Sequence, residues 1–311
     1  MSRYRQHLPQ LSNEIFLTDG GIETTLIFHQ GLSLPHFAAF DLLPTEIGRQ
    51  QLREYYRPYI YLAINAKRGL ILESPTWRAN RDWGQRLGYD RQNLANVNQL
   101  AIEFMEELRD DFASYGQTMV ISGCVGPRGD GYQPSAKMDV ISAHDYHSEQ
   151  INVFADSQAD MITAITMNYI EEATGVALAA KDATIPAVIS FTVETDGRLP
   201  SGESLQEAIE TVDAETGQYP VYYMINCAHP DHFQSVLKSD QPWVRRIRAL
   251  RANASRCSHA ELDAADELDD GDPSEFGRLY AELRQRLPQI NVLGGCCGTD
   301  IRHIRAACSY C

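Results

Sequence analysis

Eight short apolar runs recur along the chain, and longer segments with helical periodicity separate them. The runs occupy residues 14–19, 69–73, 118–122, 160–165, 187–191, 221–226, 247–253 and 289–293. The clearest amphipathic segments between them occupy residues 44–64, 94–112, 145–158 and 274–287. This alternation favours parallel strands joined by crossover helices. Eight such units in 311 residues predict an α/β fold of the (β/α)8 TIM barrel type.

A doubly wound open sheet is the alternative fold. Such a sheet commonly carries a glycine-rich phosphate-binding turn directly after its first strand. The corresponding turn here reads Asp-Gly-Gly-Ile-Glu at 19–23, which lacks that spacing. We therefore expect one barrel domain over residues 1–311, with a long, partly helical polar loop at 255–274.

Composition excludes several classes of partner. The net charge of −15 and pI near 5.0 argue against a nucleic-acid partner. No run approaches the roughly 18 apolar residues of a membrane span, and the polar N-terminus lacks the apolar region of a signal peptide. The seven cysteines are an odd number, which argues against a disulfide framework and favours a reducing cytoplasm.

Three cysteines stand at the ends of two predicted strands. Cys227 follows the sixth run, and the pair Cys296 and Cys297 follows the eighth, with glycines on both sides. Strands six and eight of a barrel flank strand seven, so all three thiols, which we expect to be free, can meet above the barrel mouth. Thiolates select zinc, and three protein ligands leave one tetrahedral position open for a substrate. A buried cysteine is often only a small hydrophobe, so the spacing alone leaves a structural role open.

Four motifs together resemble the homocysteine S-methyltransferase family over about residues 16–307. They are Leu-Thr-Asp-Gly-Gly-Ile-Glu-Thr at 17–24, Leu-Glu-Ser-Pro-Thr-Trp at 72–77, Ile-Asn-Cys at 225–227 and Gly-Gly-Cys-Cys-Gly-Thr at 294–299. The last motif, with Asn-Cys upstream of it, is the most specific. The resemblance implies a barrel in which Cys227, Cys296 and Cys297 hold zinc, and an enzyme that methylates homocysteine to methionine.

The chain departs from this family pattern at two places. Many relatives carry a glutamate after strand four that helps to hold the amino group of the substrate, and Ile165 stands there in this chain. Relatives often read Gly-Thr-Glu-Leu in the first turn, whereas this chain places Glu23 at the glycine and Thr25 at the glutamate. The metal motif is thus intact while part of the amino-acid pocket is altered. Another small thiol or a selenol is therefore an alternative acceptor, and a non-catalytic zinc-binding or partner-binding relative is an alternative function.

The ligand set favours methyl transfer over hydrolysis. The thiolate is the nucleophilic form of a thiol, and coordination to zinc deprotonates it. Three cysteinates and one zinc ion carry one net negative charge, and a substrate thiolate adds a second, which keeps the bound sulfur electron-rich. The same charge makes the site a poor activator of water, so a zinc hydrolase is the weaker interpretation. We expect a small-molecule thiol and a cationic methyl donor as substrates, with S-methylmethionine and S-adenosylmethionine ahead of betaine.

Four further residues at strand ends are candidates for catalysis. Asp19 either orients the substrate or anchors the first turn, while Glu73 and Thr76 either contact the substrate or close the barrel mouth. Asn226 either takes part in catalysis or orients the loop that carries Cys227.

Several other side chains have two alternative roles. Glu194 either replaces the missing acid at position 165 or is a solvent-facing loop carboxylate. His229 and His232 are expected to be loop residues and not metal ligands, because three cysteines already suffice. Two tryptophans, Trp77 and Trp83, either cage a cationic donor or pack against the barrel. The pair Cys308 and Cys311 has zinc-knuckle spacing but no second pair, and we expect it to be incidental.

Overall fold

A closed barrel of parallel strands forms the centre of the computed structural model, which describes residues 2–134, 137–265 and 267–311. The strands follow one another around the barrel in chain order, and β8 closes on β1. Their bounds are β1 (Phe16–Leu17), β2 (Gly69–Glu73), β3 (Met119–Val125), β4 (Met161–Met167), β5 (Ala187–Phe191), β6 (Tyr222–Asn226), β7 (Ile247–Ala252) and β8 (Val292–Gly295). The predicted (β/α)8 barrel is confirmed.

Helices cover the outside of the barrel. The longer ones are α1 (Glu46–Ala66), α2 (Arg91–Asp111), α3 (Val140–Asp156), α4 (Ile170–Asp182), α5 (Leu205–Thr216), α6 (Pro273–Arg286) and α7 (Ile301–Tyr310). Shorter helical segments are Pro9–Leu11, Ile22–Thr24, Thr25–His29, Pro35–Phe37, Ala39–Leu42, Arg81–Arg86, Ala113–Tyr115, Pro230–Phe233, Pro242–Arg246 and His259–Asp263. None of the described helices combines the length and apolar character needed to cross a bilayer.

Polar side chains fix where several helices begin. Asp90 accepts a hydrogen bond from the backbone of Asn93, so α2 begins at Arg91, three residues before the predicted start. Asp139 caps α3 in the same way, so that helix begins at Val140, five residues before its predicted start. The spacing of apolar residues does not reveal these first turns, because they contain few buried residues.

The eighth strand lies later in the chain than the apolar pattern predicts. It runs through Gly294 and Gly295, which pair with Arg251 and Ala252 of β7. Side chains at these glycines would collide with Thr18 and Thr299, respectively, so only glycine lets the strand continue here. The cysteine pair therefore follows the strand directly, with no intervening loop.

The side chains inside the barrel are apolar at its lower end and polar at its upper end. Its lower part is an apolar layer that includes Phe16, Ile71 and Tyr222. The upper part is polar, where Ser122 bonds Thr163 at 2.8 Å and other polar side chains point inward. The N-terminal segment covers the lower end, since the Asn291 side chain donates to the carbonyls of residues 10, 12 and 14. Inside the barrel, the space for a ligand thus lies at the carboxyl ends of the strands.

Candidate metal centre and acceptor cavity

The three predicted metal ligands meet at one point. Cys227 follows β6 directly, and Cys296 and Cys297 follow β8, with β7 between them. The three sulfur atoms lie within 4.8 Å of one another. Within the described ranges, this is the group of three histidine, cysteine or acidic residues that lies close enough to share an ion.

Two of these sulfurs are joined. Cys227 and Cys296 form a disulfide, while Cys297 is a free thiol. Sequence analysis predicted three free thiols, and for this pair the prediction is wrong. The reason is geometric, because the convergence of the two strand ends brings the Cα atoms to 5.3 Å, inside the range that a disulfide bridges. Burial raises the pKa of the Cys297 thiol to about 11, and a hydrogen bond with Tyr132 opposes this rise.

Cys227 and Thr166 both have strained backbone conformations, and hydrogen bonds from Asn226 hold Thr166 in place. Cys227 has φ of +52°, and Thr166 at the end of β4 has φ of +67°, both in the left-handed region that side chains disfavour. Asn226 is fully buried and holds Thr166 at two points. It accepts from the Thr166 amide at 3.0 Å and donates to the Thr166 hydroxyl at 2.9 Å. A third partner, Ser190, donates to the same amide oxygen of Asn226.

Two of the candidate catalytic residues lie behind the cavity wall. The side-chain oxygen and nitrogen of Asn226 both make the hydrogen bonds just described. The hydroxyl of Thr76 donates to the carbonyl of Cys124 at 2.7 Å and bonds Ser74, and Thr76 is fully buried. Neither residue lines the cavity beneath the cysteines. The structure thus gives both residues contacts that position backbone segments.

Asp19 and Glu73 do line this cavity, together with Ile165 and the three cysteines. One Glu73 oxygen accepts from the hydroxyl of Thr163 at 2.9 Å, while the other is buried without a partner among the described residues. Burial raises the pKa of Glu73 to about 7, and the nearby Arg251 cation opposes that rise. Glu73 is therefore close to half ionised at neutral pH.

Arg251 lines this cavity and was not identified by sequence analysis. It lies on β7, the strand with the weakest sequence signal, and one terminal nitrogen stands 2.8 Å from a carboxylate oxygen of Asp19. Tyr55 donates to the other Asp19 oxygen at 2.9 Å. The sequence did contain a signal for this residue, namely an arginine within an apolar strand segment. An arginine in a buried strand needs a charged partner, so this position predicts a buried ion pair.

A second neighbour of the cysteines comes from the loop after β3. The hydroxyl of Tyr132 lies 3.6 Å from the Cys297 sulfur, and its ring stacks on His259 at a centroid distance of 4.0 Å. Glu194 bonds the Nδ1 atom of the His259 ring at 3.0 Å. Glu194 does not line the acceptor cavity, so it does not stand in for the acid absent at Ile165.

The remaining candidates have other contacts. His229 accepts from the backbone of Asp231 at the start of the short helix Pro230–Phe233, and His232, which lies within that helix and not in a loop, bonds the carbonyl of Arg256. Burial lowers the pKa of His229 to about 4. Cys308 of α7 and Cys311, which follows that helix, lie outside the metal-ligand group and are partly buried.

Arg78 fills the space between the two tryptophans. Its guanidinium carbon lies 4.0 Å from the ring centre of Trp77 and 3.9 Å from that of Trp83. The same side chain donates to the carbonyl of Gly129 at 3.0 Å and is buried. These two ring faces already bind a cation of the chain itself, so they do not form an open cage for a substrate cation.

Known proteins resemble this chain along nearly its whole length. The model of the homocysteine S-methyltransferase family matches residues 16–311. Homocysteine S-methyltransferase 1 of Brassica oleracea var. italica is 24% identical over 314 residues, covering 93% of this chain and 91% of that protein. The protein of the same name from Arabidopsis thaliana is 23% identical over 317 residues, with the same coverage of 93% and 91%.

Solved structures share the fold. The metallated form of the homocysteine methyltransferase MmuM from Escherichia coli superposes with a TM-score of 0.77 at 18% identity, covering 99% of this chain and 100% of that one. Its oxidised form gives a TM-score of 0.78 at 19% identity with the same coverage of 99% and 100%. Because the family match spans the barrel from β1 to the end of the chain, this protein belongs to the homocysteine S-methyltransferase family and is a methyltransferase.

Proposed function

We propose that this methyltransferase moves a methyl group from a cationic sulfonium donor to the thiol of homocysteine, giving methionine, and that Cys227, Cys296 and Cys297 hold zinc for this reaction. The observation that carries the proposal is the approach of three cysteine sulfurs to within 4.8 Å at the carboxyl end of the barrel. The names of the Brassica and Arabidopsis relatives support homocysteine as the acceptor.

The donor set fits zinc. Zinc–sulfur bonds of about 2.3 Å in a tetrahedral site place sulfurs roughly 3.8 Å apart, which is compatible with the spacing of these three cysteines once Cys227 and Cys296 are reduced. Three thiolates leave one position for the thiol of a substrate. When bound, zinc would supply the deprotonation of that thiol at neutral pH.

The remaining chemistry is a displacement at the methyl carbon. A carbon–sulfur bond forms to the acceptor while the bond between the methyl carbon and the donor sulfur breaks. The donor leaves as a neutral thioether with the electron pair of the broken bond, and the acceptor's thiol proton is released to solvent. The tasks left to the protein are to orient both reactants and to keep the three cysteines in place.

Separate residues serve these two tasks. Asn226 fixes the strained Thr166 and the turn that begins at Cys227, and Thr76 fixes the backbone of Cys124, so both act as positioning residues. Tyr132 orients the Cys297 sulfur through the contact between its hydroxyl and that sulfur. Asp19 and Glu73 face the acceptor directly.

Glu73 compensates for the isoleucine at position 165. Both residues line the cavity, and Glu73 has a buried oxygen free to accept from the ammonium group of homocysteine. A thiol or selenol that lacks an amine is the second candidate acceptor, because Ile165 offers that part of the cavity an apolar wall.

A sulfonium donor is favoured for two reasons. A cation is attracted to the anionic cluster of cysteinates, and a sulfonium loses its charge on transfer, which helps the product to leave. The stacking of Arg78 between Trp77 and Trp83 disfavours a quaternary ammonium donor such as betaine, since these rings are not free to cage it. We place S-methylmethionine ahead of S-adenosylmethionine because the chain lacks a nucleotide-binding glycine loop at 19–23.

Reduced protein prepared without chelator should contain about one zinc ion per chain, measured by elemental analysis. Protein in which Cys227 and Cys296 are oxidised should contain little, because zinc binds thiolates and not disulfides. Cys297→Ser should lose most of the metal, whereas the control Cys308→Ser should keep it. Full retention of zinc in Cys297→Ser would overturn the assignment.

Zinc-loaded, reduced protein should form methionine from homocysteine and a sulfonium donor. Donors carrying a labelled methyl group, with the product followed by mass spectrometry, give the order among S-methylmethionine, S-adenosylmethionine, betaine and a methylated corrinoid. We expect both sulfonium compounds ahead of betaine, and no transfer by Cys297→Ser. Transfer from the corrinoid alone would contradict the donor assignment, and an absence of transfer from every donor would contradict the reaction.

The pH dependence of acceptor binding should report Glu73. Its pKa is about 7, so the carboxyl is neutral at low pH and gains the charge that attracts an ammonium as the pH rises through 7. The affinity for homocysteine relative to γ-mercaptobutyrate, which lacks the amine, should rise about tenfold between pH 6 and 8, measured by calorimetry. Glu73→Gln should abolish this rise. A ratio that is independent of pH in the unmodified protein would exclude Glu73 as the ammonium partner.

A further inference from the structure

Arg251 places a buried cation at the floor of the acceptor cavity. The residue is 6% exposed, and its side chain reaches from β7 toward the first turn of the chain. One guanidinium nitrogen, Nε, donates to the carbonyl of Gly295 at 3.0 Å. Another, Nη2, donates to the carbonyl of Gly20 at 3.1 Å and lies 2.8 Å from Asp19.

The third nitrogen, Nη1, has no hydrogen-bond partner within the described part of the chain, although it is buried. Leaving a buried donor on a charged group without a partner is destabilising, so buried donors are nearly always paired. Arg251 lines the same cavity as Cys296 and Cys297. The unpartnered donor therefore belongs to a residue of the cavity wall, beside the space that the acceptor enters.

The position of Arg251 matches the length of an amino-acid thiol. Arg251 pairs in register with Gly294, and its guanidinium bonds the carbonyl of Gly295, the residue next to Cys296. Three carbons separate the sulfur of homocysteine from its carboxylate carbon, a span of about 5 Å in extended form. A thiol held at the cysteines can thus direct a carboxylate toward the guanidinium.

We propose that Arg251 is a specificity-determining residue that binds the carboxylate of the acceptor through its unpartnered Nη1. The inference rests on the proposed function, since it takes the acceptor to be a thiol bound at the cysteines. It goes beyond that function because it selects a chemical class, namely thiols that carry a carboxylate about three carbons from the sulfur. With Glu73 facing the same cavity, the protein offers one partner to each charge of a zwitterion.

The competing explanation is structural, in which Arg251 only neutralises Asp19. The two explanations differ in how they treat acceptors without a carboxylate. A structural arginine affects all acceptors alike, whereas a carboxylate-binding arginine affects only those that carry the group.

Calorimetry of reduced, zinc-loaded protein with three thiols separates these cases. The thiols are homocysteine, γ-mercaptobutyrate without the amine, and homocysteamine without the carboxylate. Arg251→Gln should weaken the first two roughly ten- to hundredfold and leave homocysteamine within about twofold. Arg248→Gln, on the same strand but bonded to the N-terminal segment, is the matched control and should leave all three affinities unchanged.

A double variant tests whether the effect of Arg251→Gln arises only because the charge of Asp19 is left unpaired. Asp19→Asn combined with Arg251→Gln removes both members of the ion pair and should show the same loss of preference for carboxylate thiols. Equal weakening of all three thiols by both variants, or no weakening, would overturn the inference. Binding of no thiol by the unmodified protein would overturn the proposed function and this inference together. Carboxylate-dependent binding without methyl transfer would overturn only the proposed reaction.

Discussion

The convergence of β6 and β8 across β7 is the constraint on which the candidate site depends. In a closed parallel barrel, every strand ends at the same rim, so residues far apart in sequence become neighbours there. Cys227 and Cys296 are separated by 69 positions in the chain, yet their Cα atoms lie 5.3 Å apart. Gly294 lets β8 pass close to Thr18, and Gly295 leaves room for Thr299, so the strand continues to the cysteine pair at its end. The chemistry of the site follows from this geometry, because three thiols at one point form a ligand set that no single loop supplies.

Charge on the cavity floor is more balanced than the acidic composition indicates. Asp19 does not add a free negative charge at the mouth, since Arg251 pairs with it. Glu73 is close to half ionised at neutral pH because burial opposes its charge. In the proposed reaction, the attraction for a cationic donor therefore comes from the cysteinates and from the carboxyls of Glu73 and Glu23, which line the same cavity. The unpartnered atoms of Glu73 and Arg251 are left for the acceptor.

Much of this arrangement could be predicted from the sequence. All eight strands were located, and the bounds of β2 and β5 agree residue for residue, because apolar runs mark buried parallel strands. The three cysteines were placed at neighbouring strand ends for the same reason. The disulfide between Cys227 and Cys296 was not predicted, since it depends on the distance between two loops. The role of Arg251 was not predicted because it depends on an ion pair with Asp19, which connects β7 to the first turn. The orientation of Thr76 and Asn226 away from the cavity likewise depends on hydrogen bonds to other strands.

X-ray absorption at the zinc edge tests the central claim, which is that three cysteines leave one position for the acceptor thiol. The spectrum of reduced, zinc-loaded protein should fit three sulfur neighbours at about 2.3 Å and one lighter ligand. Addition of homocysteine should replace the lighter ligand with a fourth sulfur at the same distance. A sulfur count that stays at three when homocysteine is bound, as verified by calorimetry on the same sample, would contradict the account.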